Sequence, residues 1–459
     1  MKFKSKVNSV FDIKSVTSGE MESAIARWGR TYRGFPDWLH EDEDFRTINF
    51  AKALCEETAR LTTLGIGVQI DGENARAKWL QEQIEGIYYR LREWVEYGCA
   101  FGTIIIKPNG ESVDLVTPAD FIIADEVDGK IKGVVFINRA VSSNQKKFYT
   151  RLEYHRYNDD GKYVITNKCY VGKQKDDMDD AIDIKETPWK ALSEEETIEN
   201  TEPLYGVLRM PKANNIDFDS SLGMSIFSEA MAELRDLDIA YTLYNLEIED
   251  SKRTVLLDSD RLVAGGKLKE TNTNFEAQKA QLKLPRFVKN VYGNGDGQFY
   301  QEINPTINTE GRLVGVNALL SQIGYKVGFA NGYFVFNESQ GIQTATGVEA
   351  NEQRTIQFIK DVRDKLEDAL TGLIEALNSF ADLYDLAPVG EYEVNYNFGD
   401  ITYNYQEDKM TWWGYVMQGK VSFWRYLVKF ENMSEDEAKE IAEEAKAENM
   451  NIQQLFGGE

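Results

Sequence analysis

One stretch constrains this chain more than any other. Ile359, Val362, Leu366, Leu370, Leu373, Leu377 and Phe380 recur at spacings of three, four, four, three, four and three residues. That period predicts a helix with a single apolar seam, the longest of the chain. A seam of this length has to be covered, so the remaining elements must supply apolar surface. The chain can do so: 42% of its 459 residues are apolar and 12% aromatic, enough to offset the entropy of ordering. At roughly 150 residues per domain, about three units are expected.

Around the seam the pattern alternates between helix and strand. Helical spacings predict a helix from about Thr47 to Arg60 and another from about Asn74 to Glu96, carrying Trp79, Ile84, Ile87, Leu91 and Trp94. From Gly98 the chain reads as strands: Thr103–Ile106, Val113–Val116, Phe121–Ala124, Lys132–Asn138, Arg151–Tyr157 and Tyr163–Val171. Asp128-Gly129 and Asp160-Gly161 lie where hairpin turns belong. Residues 176–199 hold ten acids and two lysines, and this run reads as a solvated loop. A helix is expected from about Leu222 to Asp250. The segment after it, Lys252 to Lys289, holds nine Lys or Arg against four Asp or Glu and reads as a small separate lobe. A second helix follows Asn308 and ends near Gly328. An irregular segment, Phe329 to Thr346, leads to the seam helix. A strand at Tyr392–Phe398 and a helical tail complete the order, with Ser434-x-x-Glu437 as a capping box. The fold class is therefore α+β.

Chemistry is scarce. The two histidines, His40 and His155, stand in no metal-binding or metalloprotease frame, and His155 reads as a structural ring. Every Gly-Lys pair lacks a following Ser or Thr, so no Walker-type phosphate loop is present. Acids total 76, which makes any acid pair an uninformative Mg²⁺ candidate; Asp400 is the best isolated one. The three cysteines, Cys55, Cys99 and Cys169, form no close pair and read as free thiols of a cytosolic protein. No stretch of about 18 apolar residues occurs, so no membrane contact is expected. The formal charge of −24 opposes tight, sequence-reading DNA binding. These absences favour a structural or interaction protein over an enzyme, with no cofactor. A metal-dependent carboxylate nuclease is the remaining enzymatic alternative.

The order of elements, with several local phrases, resembles portal proteins of long-tailed phages infecting Gram-positive bacteria. Those phrases are Trp28-Gly-Arg-Thr-Tyr32-Arg-Gly34, Asn49-Phe-Ala-Lys52, Asn331-Gly-Tyr-Phe-Val-Phe336 leading to Gln343-Thr-Ala-Thr346, and Gln418-Gly-Lys-Val-Ser422. Many relatives carry an acid after Thr-Ala-Thr where this chain has Gly347. The resemblance implies a wing at 1–221, stem helices at 222–251 and 308–327, and a clip at 252–307. It further implies a tunnel-loop region at 328–347, a wing helix and strand at 348–404, and a crown at 405–459. It implies a ring, twelve subunits in the capsid, through which double-stranded DNA passes. The implied partners are the terminase large subunit, a head–tail adaptor, and capsid and scaffold proteins; assembly is in the host cytoplasm and residence at a virion vertex. Three residue sets follow from this frame. Ser339, Gln340, Gly341, Gln343 and Thr344 are the expected tunnel-loop tip, Glu247, Glu249 and Asp250 the tunnel lining, and Lys279, Lys283 and Lys289 the clip docking face. A head-vertex or head–tail connector that conducts no DNA is the structural alternative.

Overall fold

The structure is a computed structural model that describes residues 2–41, 45–110, 112–142, 146–199, 201–218, 220–250, 254–258, 288–291, 300–303, 308–336, 345–399, 405–418, 420–431, 433–434 and 437–443. The chain divides into two compact units, Met1–Asn397 and Phe398–Glu459. It is α+β, as the alternation of helix and strand periods predicts.

The first unit opens with helices α1 (Lys2–Phe11), α2 (Gly19–Tyr32) and α3 (Phe50–Thr62), strand β1 (Gly67–Asp71), then α4 (Ala75–Glu85) and α5 (Tyr88–Phe101). Ser18 caps α2 by accepting the Met21 N–H. The single helix expected from Asn74 to Glu96 is two. Gly86 closes α4 and Ile87 restarts the chain as α5, so Leu80 and Ile84 serve one helix, Leu91, Trp94 and Val95 the other.

Strands follow: β2 (Thr103–Asn109), β3 (Ser112–Val116), β4 (Phe121–Val127), β5 (Lys130–Val141), β6 (Phe148–Tyr157), β7 (Tyr163–Gly172), β8 (Asp180–Ile182), β9 (Glu195–Ile198) and β10 (Gly206–Arg209). They make a three-stranded sheet in the order β10-β2-β3 and a larger antiparallel sheet, β4-β5-β6-β7-β8, with β9 also on β7. Asp128 and Gly129 both take positive φ, 51° and 71°, between the paired residues Val127 and Lys130. This is the hairpin geometry that the Asp-Gly pair favours. The acidic run is not a solvated loop. Its β8 and β9 strands pair with β7, because Met178, Ile184 and Ile198 are buried and draw the run onto the sheet while many of its acids stay outside.

Helix α6 (Met231–Asp250) begins later than Leu222. Residues 222–227 are buried but not helical: Gly223 N–H donates to Thr103 Oγ1 at 2.7 Å and Ile226 N–H to the Cys99 carbonyl at 3.0 Å. A Cβ on Gly223 would lie 2.5 Å from the Gly102 carbonyl oxygen, so backbone packing against the α5–β2 turn displaces the helix there. Beyond α6 come β11 (Thr254–Asp258), β12 (Val288–Val291) and β13 (Tyr300–Ile303), with β11 parallel to β12 and antiparallel to β13. Helix α7 (Thr309–Val327), helix α8 (Ala345–Leu383) and strand β14 (Glu393–Asn397), which pairs with β1, complete the unit.

The seam lies on α8. Ile359, Val362, Leu366, Leu370 and Leu373 are at most 1% exposed and Leu377 3%; Phe380 is half-buried and packs on Tyr384. Strands β10 and β2 and helices α3 and α4 cover the helix. Contact with β10 is close: a Cβ on Gly206 would meet the Ala369 carbonyl oxygen at 2.1 Å, and Gly372 faces the Gly206 Cα. The second unit contains α9 (Tyr405–Met417), α10 (Phe423–Glu431) and a helical turn at 437–443, built around Tyr426, Leu427, Phe430 and Ala438. Ser434 Oγ accepts the Glu437 N–H at 3.3 Å, one half of the expected capping box. No described helix is long and apolar enough to cross a membrane.

Candidate functional site

The segment with the most distinctive geometry is α6, the three short strands, and α7. The two helices pack on each other and bracket the strands in the chain. Asp238 anchors α6 to the N-terminal segment by accepting Trp38 Nε1–H at 2.9 Å, Thr47 Oγ1–H at 3.0 Å and the Ile48 N–H at 3.0 Å. Glu247 ties α6 to α7, accepting Arg312 Nε–H at 2.9 Å and the Asn308 N–H at 3.2 Å. Those bonds hold its carboxyl below the usual range, the Arg312 contact first. Glu249 pairs with Arg46 at 2.7 Å, and Asp250 ends α6. The expected lining acids thus share one helix end, and Glu247 and Glu249 are each matched to an arginine of the same chain. Lys289 lies on β12 opposite Leu256. Lys279 and Lys283 lie outside the described residues, as do Ser339, Gln340, Gly341, Gln343, Thr344 and Asp400.

Helix α7 has two unlike faces. Val316, Leu320, Ile323 and Val327 form a buried stripe. Val314, Ala318, Gln322 and Tyr325 lie on the exposed side, with Val314 69% and Tyr325 52% exposed. From Leu313 to Tyr325 thirteen consecutive residues carry no charge, in a chain that is 28% charged. The helical spacings show the buried stripe; the uncharged outer face was legible in the same residues but does not stand out when only the stripe is sought.

After α7 the chain is anchored tightly. Gly328 has φ 133°, and a Cβ there would lie 2.6 Å from the Phe358 ring, so only glycine fits. Phe329 is fully buried and packs edge-on against Phe334 and Phe358; Phe334 in turn meets Phe50. Tyr333 donates from its hydroxyl to Glu57. Phe336 is held by its backbone, its ring remaining 46% exposed: Asn317 donates to its carbonyl at 2.9 Å and accepts its N–H at 2.8 Å. Asn317 has no sequence motif; its role shows only in three dimensions.

A second cluster resembles catalytic machinery in its residue types. Glu153 Oε2 accepts from Lys107 Nζ at 2.6 Å, Arg151 at 3.0 Å and Asn138 at 2.9 Å. Its Oε1 meets His155 Nε2 at 2.9 Å, and His155 Nδ1 meets the Tyr163 hydroxyl at 2.8 Å. Leu204 N–H donates to that same hydroxyl at 3.2 Å. A neutral imidazole with its proton on Nε2 satisfies every partner: Nε2–H donates to Glu153 and Nδ1 accepts from Tyr163. Burial lowers the His155 pKa more strongly than Glu153 raises it. Burial alone would raise Glu153, but Lys107 and Arg151 hold it well below its ordinary range. Lys107, Arg151 and His155 are each at most 3% exposed and Glu153 8%, so the cluster is sealed from substrate. It joins β2 of one sheet to β6 of the other. His155 is a structural ring here, as its place in a strand predicts.

The described cleft of about 610 Å³ lies elsewhere, between α2 and residues 215–231, over a floor of Trp28, Met224 and Met231. Among the described residues no group of three His, Cys, Asp or Glu is placed to hold a metal.

No protein-family model and no curated protein matches the sequence. The similar solved structures include two at 10% identity. One is a chain from the virion of a native gene transfer agent particle, with a TM-score of 0.39; the other is from the neck of such a particle computed with C12 symmetry, at 0.38. Each match covers 91% of this chain and 95% of the other.

Proposed function

We propose that this chain is a phage portal subunit, a ring-forming channel at a capsid vertex through which double-stranded DNA enters and leaves. The observation that carries the reading is the outer face of α7. Val314, Ala318 and Tyr325 are exposed there in the single chain and the helix itself carries no charge from Leu313 to Tyr325, on a helix that with α6 brackets three short strands. An exposed helix face without charge calls for a protein neighbour. A heterologous contact repeated by rotation closes into a ring. In this reading α6 and α7 are the stem and the lobe is the clip that meets terminase and later a head–tail adaptor. The segment after Phe336 is the tunnel loop. The subunit works without a cofactor and hydrolyses no nucleotide, residing in the virion after assembly in the host cytoplasm.

Native mass spectrometry with negative-stain imaging tests the reading. An annulus with an axial hole is the expected result. A compact monomer that cleaves DNA with Mg²⁺, or a solid assembly without a hole, would replace it. Reversing Lys279, Lys283 and Lys289 to Glu should weaken terminase binding and leave the ring intact; unchanged binding would remove the clip from that role.

A further inference from the structure

Among the described residues, strand β14 pairs on one edge only. It pairs antiparallel with β1 in the register Gly67↔Asn397 to Asp71↔Glu393. In such a ladder, alternate residues turn both backbone groups toward the partner strand or both away. The far side of β1 is occupied by side chains. Val68 N–H donates to the Tyr88 hydroxyl at 2.8 Å, Ile70 N–H donates to Gln81 Oε1 at 2.8 Å, and Gln81 Nε2 donates to the Val68 carbonyl at 3.2 Å. Val68 and Ile70 therefore face away from β14. By register, their cross-strand partners Tyr396 and Val394 turn their amides and carbonyls away from β1. Among the described residues nothing pairs with those groups.

The surroundings of this edge are acidic. Glu391 and Glu393 lie at the start of the strand, and Asp71 and Glu73 at the end of β1. The Tyr396 hydroxyl meets Thr371 on α8 at 2.8 Å, and Glu367 and Glu375 lie one turn either side of Thr371. Both carboxyls are raised, first by burial and then by acid neighbours: Asp364 and Asp368 for Glu367, Glu202 for Glu375. Of the nearby cations, Lys365 pairs with Asp368 and Arg76 with Asp382, while Lys130 offsets part of the rise at Glu375. Two copies of such an edge repel each other, so its charge disfavours self-pairing.

We propose that the outer edge of β14 docks an extended, lysine- or arginine-bearing segment of a partner protein, which adds as a third strand to the β1–β14 sheet. The backbone of Val394 and Tyr396 supplies the ladder, and the acids select the charge. Val389, four residues upstream and 85% exposed, is available to an apolar side chain of the same segment. The inference does not depend on the portal reading.

The test uses the full-length protein and a capped hexapeptide alternating lysine and valine. Amide hydrogen exchange over residues 392–398 should slow about tenfold on adding it. The same peptide with glutamate for lysine, or N-methylated at alternate residues, should give no protection. Val394→Pro removes an outward N–H and keeps the β1 ladder. It should abolish protection by the lysine peptide with little change in melting temperature. Glu393→Lys should weaken protection if V394P fails to fold. Equal protection by the lysine and glutamate peptides, or none at about 1 mM peptide, would overturn the proposal. Protection that rises with protein concentration alone would assign the edge to a second copy and overturn it too.

Discussion

Glu153 sits where Lys107, Arg151, Asn138 and His155 converge, so neutralising it leaves two buried cations without their counter-ion. Removing one partner of a buried ion pair costs about 3–5 kcal/mol. Glu153→Gln should lose stability of that order in urea unfolding, and a loss near zero would show that the cluster tolerates an unpaired cation. The same residues set the response to acid. His155 is depressed from its ordinary 6.5, so the unfolded chain takes up a proton first and stability falls as pH drops below 6.5. Glu153 is depressed from its ordinary 4.5; its contribution is complete above that value and lost as pH falls below it toward the folded pKa. Unfolding free energy should therefore decline in two stages, and His155→Gln should flatten the first while leaving the second. Neither pairing is visible in the sequence. Lys107 and Glu153 are 46 residues apart, and only sheet packing brings them together.

Helix α8 and strand β10 meet through Gly206 and Gly372, with no room for a side chain at Gly206. Gly206→Ala forces the strand off the helix, at a cost of about 1–3 kcal/mol by the usual penalty for overpacking. Thermal unfolding of that variant should show the loss; an unchanged midpoint would mean that β10 can shift without disturbing α8. The reverse holds on α7. Val314 is 69% exposed, so Val314→Glu should change the stability of the single chain by no more than about 0.5 kcal/mol. It should nevertheless block the proposed ring assembly, because it places a carboxylate among the exposed residues of a helix that is uncharged from Leu313 to Tyr325. Native mass spectrometry separates the two effects; normal rings from the variant would move the subunit contact elsewhere. The α8 seam was readable because its 3–4 spacing is local. The division between α4 and α5, the late start of α6 and the pairing of the acidic run with β7 were not. Each was decided by a backbone contact or a few buried apolar residues that outweigh local pattern.

At the scale of the whole molecule, charge dominates. A formal charge of −24 repels duplex DNA, and the proposed ring would multiply that charge. If the proposed ring forms, it should bind duplex DNA only weakly at about 150 mM salt, as the proposed sliding conduit requires. Nanomolar binding in a filter or fluorescence assay would contradict it. Glu247 and Glu249 contribute less to such a potential than their number suggests, since Arg312 and Arg46 stand beside them.

The sequence by itself determined the α+β class, the antiparallel strand run with its Asp128-Gly129 turn, the long seam helix, and the two helices that bracket residues 254–303. These rest on periodicity and turn chemistry, which act over a few residues. Tertiary structure alone decided that Asn317 brackets Phe336, that Glu153 ties two sheets together, and that β14 keeps an edge unpaired among the described residues. Each depends on residues distant in the chain, and their meeting is set by how the sheets and α8 pack.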